Sequence, residues 1–304
     1  MKKFTLFTIV CAFLCQINIH AQATTTIPAD TLKTPSVIPV VINGEAQKIP
    51  AFENPDLWIK QDLWVETEFD TDGDGKKDRM HVDVTRPRQT ETEGLKLPVI
   101  YESSPYFDGV ASIDKKYNWN VRQQLDGPSQ ERIKAPAIVR TGTQAIISNS
   151  LTRTWIPYGF IIVHSSAPGT GFSQGCPTVG TRIEALAPKA VIDWLNGRAK
   201  GYTTPYGNEE VKAYWTTGKV GMIGTSYNGT IPFAAATTGV EGLEAVIPIS
   251  PNNSYYHYYR SNGLVRSPGG YLGEDVDVLY DYIHSNPDNC AYCDHCQRWI
   301  SKTA

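Results

Sequence analysis

The sequence feature that most constrains the fold is a strand, a tight turn and a helix within residues 219–236. The apolar run at 219–223 is typical of a buried strand, and the alanines at 234–236 are compatible with a helix. Between them stands Gly-Thr-Ser-Tyr-Asn-Gly at 224–229. Glycines flank a strained serine of this kind because the adjacent strand and helix leave no room for side chains. The pattern predicts that Ser226 is presented as a nucleophile, and the alternative is a serine that only caps the helix.

The rest of the chain up to residue 250 predicts an α/β fold around this turn. Alternating residues at 64–70 and 80–85 predict an antiparallel hairpin, and apolar runs at 97–102, 159–164 and 243–249 predict buried strands. Helical spacing of apolar residues predicts a helix over 182–200. Strands that alternate with helices favour a mostly parallel sheet with right-handed crossovers. Together with the serine turn this is the α/β-hydrolase class, and we expect it to lack its last strands and most of a helical cap.

Four segments are predicted along the chain. Residues 1–23 have the basic start, apolar centre and small-residue cleavage site of a bacterial signal peptide, which predicts a periplasmic or secreted protein. Residues 24–59 form a lead-in, 60–250 the catalytic core, and 251–304 the start of a cap with a cysteine-containing tail. The signal segment is too short for a membrane span, so no stable membrane association is expected.

Charge and cysteine content limit which ligands the chain is expected to bind and indicate the state of its cysteines. Without residues 1–23 the chain has 26 basic and 31 acidic residues and no basic stripe, which argues against nucleic-acid binding. Four cysteines then remain, and in an oxidising compartment an even number favours disulfides. Zinc binding by the closely spaced cysteines of the tail, together with His295, is the alternative. The cysteines are Cys176, Cys290, Cys293 and Cys296.

The segment at 70–78 resembles a calcium-binding loop. Its carboxylates are Asp70, Asp72, Asp74 and Asp78. They stand at loop positions 1, 3, 5 and 9, with a glycine at position 6, as in an EF-hand. Position 12 holds His81 instead of a bidentate glutamate, and the flanks are typical of strands. The two interpretations are a calcium-clipped hairpin and a plain Asp/Gly turn.

The oxyanion donors and the base are predicted from the order of elements. The backbone N–H of Tyr227 follows the nucleophile directly and is the first donor. Tyr106 follows the predicted strand at 97–102, in the loop that supplies the second donor in this fold, although it could equally be one of many core or pocket-wall tyrosines. His81 and His164 precede the serine, and we expect structural roles for them.

The triad acid and base remain unassigned. Only 78 residues follow Ser226, and no strand is predicted among them that would carry either group. The histidines in this region are His257, His284 and His295. None of them has the position of a triad histidine, so we expect the 304-residue chain by itself not to turn over substrate.

Four stretches make the sequence resemble the X-prolyl dipeptidyl-peptidase family of serine hydrolases. They are the serine turn, Ser-Ser-Pro-Tyr at 103–106, and the segments 168–177 and 259–270. The superfamily also contains cocaine esterase-like and α-amino-acid ester hydrolase enzymes. The resemblance covers about residues 60–285, the N-terminal portion only, because the family's aspartate, histidine and β-rich domain lie further on.

The resemblance implies Ser226 as nucleophile, with the Tyr227 amide and the Tyr106 hydroxyl as oxyanion donors. It implies a proline-containing peptide as substrate, release of an N-terminal Xaa-Pro dipeptide through an acyl-enzyme, and no cofactor. A related acylase or esterase is the alternative enzyme. A catalytically inactive fragment or binding module is the alternative of a different class.

Overall fold

The structure, a computed structural model, describes residues 37–107 and 149–266 together with residues 276 and 279. The predicted signal peptide, the first part of the lead-in and the cysteine cluster of the tail lie outside these residues, as do His284 and His295. The four predicted segments therefore stay predictions. Within the described ranges, no helix is long and apolar enough to cross a membrane.

Twelve strands and five α-helices form the described part of the chain. The strands are β1 (Val41–Ile42), β2 (Glu45–Ala46), β3 (Trp58–Glu66), β4 (Arg79–Pro87), β5 (Leu97–Ser104), β6 (Ile161–Ser166), β7 (Gly201–Tyr202), β8 (Glu210–Val211), β9 (Thr216–Thr225), β10 (Leu243–Ile249), β11 (Arg260–Ser261) and β12 (Leu264–Val265). The helices are α1 (Gln89–Thr92), α2 (Asn149–Trp155), α3 (Ile183–Leu195), α4 (Tyr227–Ala236) and α5 (Tyr255–Tyr259). Single 3-10 turns occupy Pro50–Phe52, Pro55–Leu57 and Ile156–Tyr158.

Eight strands form one mixed sheet in the order β10-β9-β5-β6-β4-β3-β7-β8. The four strands β10, β9, β5 and β6 run parallel, and β4, β3, β7 and β8 continue the sheet with antiparallel pairing. Because β5 and β9 are parallel neighbours, their carboxyl ends meet at the same edge of the sheet. This topology confirms the predicted α/β-hydrolase class and determines where the site lies.

Most of the predicted elements are present, with three differences. The strand predicted at 64–70 is β3, which covers Trp58–Glu66 and ends four residues earlier than predicted. The helix predicted over 182–200 ends at Leu195, because Gly197 adopts a left-handed conformation (φ 74°) directly after the C-cap residue Asn196. The strand predicted at 243–249 is present with those bounds, but the prediction that it is buried is wrong. It lies at the end of the sheet, and Ile247 remains 54% exposed.

One hydrophobic core lies between the sheet and the helices α3 and α4. Alternate residues of each strand enter it, since successive side chains of a strand point to opposite faces. Its strand members include Leu63, Val65, Met80, Val82, Val84, Leu97, Val99, Ile161, Val163, Val220 and Met222. The helices contribute Val191, Ile192, Trp194, Leu195, Ile231 and Ala235. This packing fixes α4, and with it the serine turn, against the sheet.

Candidate active site

Ser226 occupies a sharp turn between β9 and α4. Its backbone has φ 60° and ψ −121°, a left-handed conformation that is strained for a non-glycine residue. Its N–H donates to the carbonyl oxygen of Ile249 at 2.9 Å, which ties the turn to β10. The Ser226 side chain is exposed and makes no capping hydrogen bond to α4. Ser226 is therefore the N-cap residue of α4 by position, but its side chain does not cap the helix.

The flanking glycines are required by close backbone contacts. A Cβ on Gly224 would lie 2.1 Å from the carbonyl oxygen of Asn228. A Cβ on Gly229 would lie 2.7 Å from the carbonyl oxygen of Ile249 and 2.9 Å from that of Gly224. All three distances are far below a van der Waals contact, so each glycine allows the first turn of α4 to lie directly on the ends of β9 and β10.

Tyr227 is the first residue of α4, and its backbone N–H and its side chain have different roles. Its backbone N–H belongs to the first turn of the helix, where N–H groups have no intrahelical partner and can donate to a ligand. Its side chain is buried, and the hydroxyl donates a hydrogen bond to Glu184 on α3. One residue thus combines a backbone amide in the first turn of α4 with a side chain that is held in the core.

Tyr106 lies beside this turn. It follows β5 by two residues, and its N–H donates to Ser104 Oγ at 3.0 Å. Its ring packs edge-on against the ring of Tyr227, with centroids 5.9 Å apart, and Tyr227 in turn contacts Tyr255 at 6.0 Å. The structure therefore brings the two predicted oxyanion residues into contact, as expected from the adjacent parallel strands that carry them.

A second polar contact, which sequence reasoning missed, joins α4 to β5 and β6. Asn228 Nδ2 donates to Glu102 Oε1 at 2.9 Å, and Glu102 Oε2 lies 3.9 Å from His164 Nε2. Burial raises the pKa of Glu102 and lowers that of His164 to about 4, so the imidazole is neutral near neutral pH. These groups come from three elements that are distant in sequence, and no local pattern signals their contact.

The remaining described histidines lie in other surroundings. His81 on β4 is buried and its Nε2 contacts Asp62 Oδ1 at 3.0 Å, which lowers the pKa of that aspartate. His257 on α5 is exposed and stacks against Tyr256. The triad acid and base remain unassigned.

The acidic segment at 70–78 forms a hydrogen-bonded turn. The carboxylates of Asp70, Asp72 and Asp78 offer oxygens within 4.8 Å of one another. The carboxylate of the fourth predicted ligand, Asp74, lies outside this group and contacts the backbone N–H and the ammonium of Lys76. Backbone amides occupy the other carboxylates. Asp70 accepts from Gly73 and Gly75, Asp72 from Asp74, and Asp78 from Thr71. This arrangement fits the plain Asp/Gly turn.

The turn also supports the loop at 168–177. Thr71 Oγ1 donates to Asp78 Oδ2 at 2.5 Å and accepts from the N–H of Cys176 at 2.6 Å. Cys176 is buried and disulfide-bonded, in agreement with the interpretation of the cysteines as disulfide partners. Burial raises the pKa of Asp78 to about 6. The acidic segment therefore has a structural role in the part of the chain that is described.

The chain matches a known family over most of its length. Residues 72–302 match the X-Pro dipeptidyl-peptidase family, S15. The chain belongs to this family. A protein of Rhodopirellula baltica with a provisional Xaa-Pro dipeptidyl-peptidase name is 68% identical over 259 residues, which cover 84% of this chain and 41% of that protein. The Xaa-Pro dipeptidyl-peptidase of Ligilactobacillus salivarius is 37% identical over 87% of this chain and 35% of its own length.

The relatives are longer than this chain, and the solved structures are more distant. The chain spans between about a third and two fifths of the length of the curated relatives it matches. Among solved structures, a CocE/NonD family hydrolase from Staphylococcus aureus has a TM-score of 0.46 at 15% identity, over 82% of this chain and 42% of that one. An α-amino acid ester hydrolase has a TM-score of 0.40 at 19% identity, over 69% and 28% of the two chains.

Proposed function

We propose that the natural gene product containing this sequence is an Xaa-Pro dipeptidyl-peptidase that works through an acyl-enzyme on Ser226. The observation that carries the proposal is the strained, exposed serine at the end of β9 in a chain of the S15 family. Relatives that bear this peptidase name cover most of the chain, which supports the same substrate class.

In the proposed reaction, Ser226 Oγ attacks the carbonyl carbon of the substrate proline itself, which becomes the acyl group of the acyl-enzyme. A base takes the hydroxyl proton, the carbon–nitrogen bond breaks, and the leaving amine receives that proton. Water then hydrolyses the ester and releases the Xaa-Pro dipeptide. The Tyr227 N–H and the Tyr106 hydroxyl are the proposed donors to the developing oxyanion, and the edge-on contact between the two tyrosine rings, which places Tyr106 next to the residue after the serine, supports this pairing.

The substrate class is tested with the purified natural gene product and four chromogenic substrates. We expect kcat/KM for Gly-Pro-p-nitroanilide to exceed that for Gly-Ala-p-nitroanilide about a hundredfold, because a pocket fitted to proline discriminates against a smaller side chain. Acetylation of the substrate amino terminus should lower the rate by a similar factor. Rapid cleavage of p-nitrophenyl butyrate without cleavage of the peptides would instead identify the esterase alternative.

Export to a periplasm or the medium is the proposed localisation. The disulfide at Cys176 supports it, since disulfides persist in oxidising compartments. We expect the natural gene product from its native cells to begin after residue 23 and to appear in the exported fraction, as measured by amino-terminal sequencing and fractionation. An intact amino terminus in the cytoplasmic fraction would contradict the proposal.

A further inference from the structure

Glu184 is a buried carboxylate directly behind the serine turn. It is the second residue of α3, and only 5% of its surface is exposed. One carboxylate oxygen accepts from the hydroxyl of Tyr227, and the other accepts from the N–H of Gly180 at 2.9 Å. Both oxygens therefore accept hydrogen bonds, which hold the carboxylate in a fixed position. We call this carboxylate the anchor.

The anchor acts on the residue that follows the nucleophile. Tyr227 is buried and is the first residue of α4, with its hydroxyl on Glu184 and its backbone N–H directly after Ser226. A side chain held at its far end restrains the Cα to which it is attached, so the position of the backbone N–H of the same residue is restrained as well. Preorganised donors need no rearrangement as charge develops, which is why such restriction accelerates acyl transfer.

The surroundings of Glu184 are aromatic and uncharged. Tyr227 and Tyr255 are the titratable groups that face it among the described residues. The backbone of Gly180 lies against the Tyr255 ring so closely that a Cβ there would lie 2.6 Å from Cδ2. No ion pair with a lysine, arginine or histidine involves Glu184 in the described ranges. Burial is the main cause that raises the pKa of Glu184 to about 7.

We propose that Glu184 is a positioning residue for acyl transfer at Ser226, in that its ionised carboxylate holds the Tyr227 side chain and thereby orients the oxyanion amide. The inference rests on the proposed function of Ser226. A hydrogen bond to an ionised acceptor is stronger than one to a neutral acceptor, so the anchor is firmest above pH 7 and weakens as the carboxylate is protonated.

The matched variant is Glu184→Gln, which keeps the shape and one acceptor oxygen but removes the charge. We expect kcat for Gly-Pro-p-nitroanilide at pH 8.5 to fall about fivefold to tenfold, with KM within twofold of wild type. The ratio of wild-type to variant kcat should approach one at pH 5.5, where Glu184 is protonated in the wild type. Taking this ratio cancels the titration of the catalytic base.

Two further variants separate positioning from general destabilisation. Asp83→Asn on β4 also removes a partly buried carboxylate whose pKa is raised to about 6, but the groups that act on that carboxylate lie on β3 and β4 and not on α4, so its kcat ratio should be the same at all pH values. Tyr227→Phe removes the other partner of the hydrogen bond and should lower kcat at pH 8.5 at least as much as Glu184→Gln does. The melting temperature of each variant is measured alongside.

The rate of phosphonylation by a fluorophosphonate probe separates this inference from the substrate proposal. The phosphonyl oxygen occupies the oxyanion position whatever the peptide specificity, so Glu184→Gln should slow it about fivefold to tenfold at pH 8.5. A wild type that reacts with the probe but not with peptides contradicts the proposed substrate alone. A pH-independent ratio, or unchanged rates in Glu184→Gln, overturns the role of Glu184. A wild-type serine that does not react with the probe overturns both.

Discussion

Replacing Ser226 by alanine is expected to lower kcat for Gly-Pro-p-nitroanilide by about 10⁴-fold to 10⁶-fold in the natural gene product. The reason is that the acyl-enzyme cannot form without Oγ, and only the binding and oxyanion groups would remain to assist hydrolysis. The side chain is exposed and its hydroxyl makes no capping bond, so its removal should change the free energy of unfolding by less than about 0.5 kcal/mol. Steady-state kinetics and urea denaturation measure the two effects separately.

Comparison of Ser226→Ala with a variant that lacks one oxyanion donor shows whether the loss of activity is specific to acyl transfer. Tyr106→Phe removes a single proposed oxyanion donor and should lower kcat by about 10²-fold to 10³-fold, with KM little changed. Mass spectrometry of fluorophosphonate-treated protein should find the adduct on Ser226 in wild type and in Tyr106→Phe, and no adduct in Ser226→Ala. More than a tenth of wild-type activity in Ser226→Ala would show that another group is the nucleophile.

The serine turn could be predicted because local sequence determines it, and Tyr106 could be placed because it stands directly after a predicted strand. Gly224 and Gly229 mark places where backbone atoms approach too closely for a Cβ, and this requirement is visible in the sequence as glycine. The position of Tyr106 follows from its place after β5, once β5 and β9 are taken as parallel neighbours. Short-range patterns of this kind survive folding because no distant residue is needed to create them.

The polar contacts made by Tyr227 and Asn228, the two residues after Ser226, could not be predicted, because their partners are distant in sequence. Glu184 and Tyr227 are 43 residues apart, and Glu102 and Asn228 are 126 residues apart. In the sequence, Glu184 is an ordinary charged residue at a helix start, and its burial follows only from the packing of α3 against α4. The exposure of β10 was missed similarly, because an apolar run does not indicate whether its strand is central or terminal.

Replacement of Gly224 in the serine turn is expected to have the second large effect, a loss of stability. Gly224→Ala should destabilise the fold by about 3 kcal/mol or more, since its Cβ would lie 2.1 Å from the Asn228 carbonyl oxygen and backbone cannot move aside as a flexible side chain can. Activity should fall with it, because relief of the clash requires α4 to shift away from Ser226. Urea denaturation gives the change in free energy of unfolding.

The matched control lies three residues earlier in the same strand. A Cβ on Gly221 would meet its nearest atom, the Val99 carbonyl oxygen, at 4.0 Å, so Gly221→Ala should change the free energy of unfolding by only about 0.5 kcal/mol and leave kcat intact. Both variants lower the flexibility of the unfolded chain equally. The difference between their free energies of unfolding therefore measures the effect of the close contact in the serine turn. Equal stability of the two variants would show that α4 does not lie on the end of β9 as described, and would remove the structural basis for placing Tyr227 N–H beside the nucleophile.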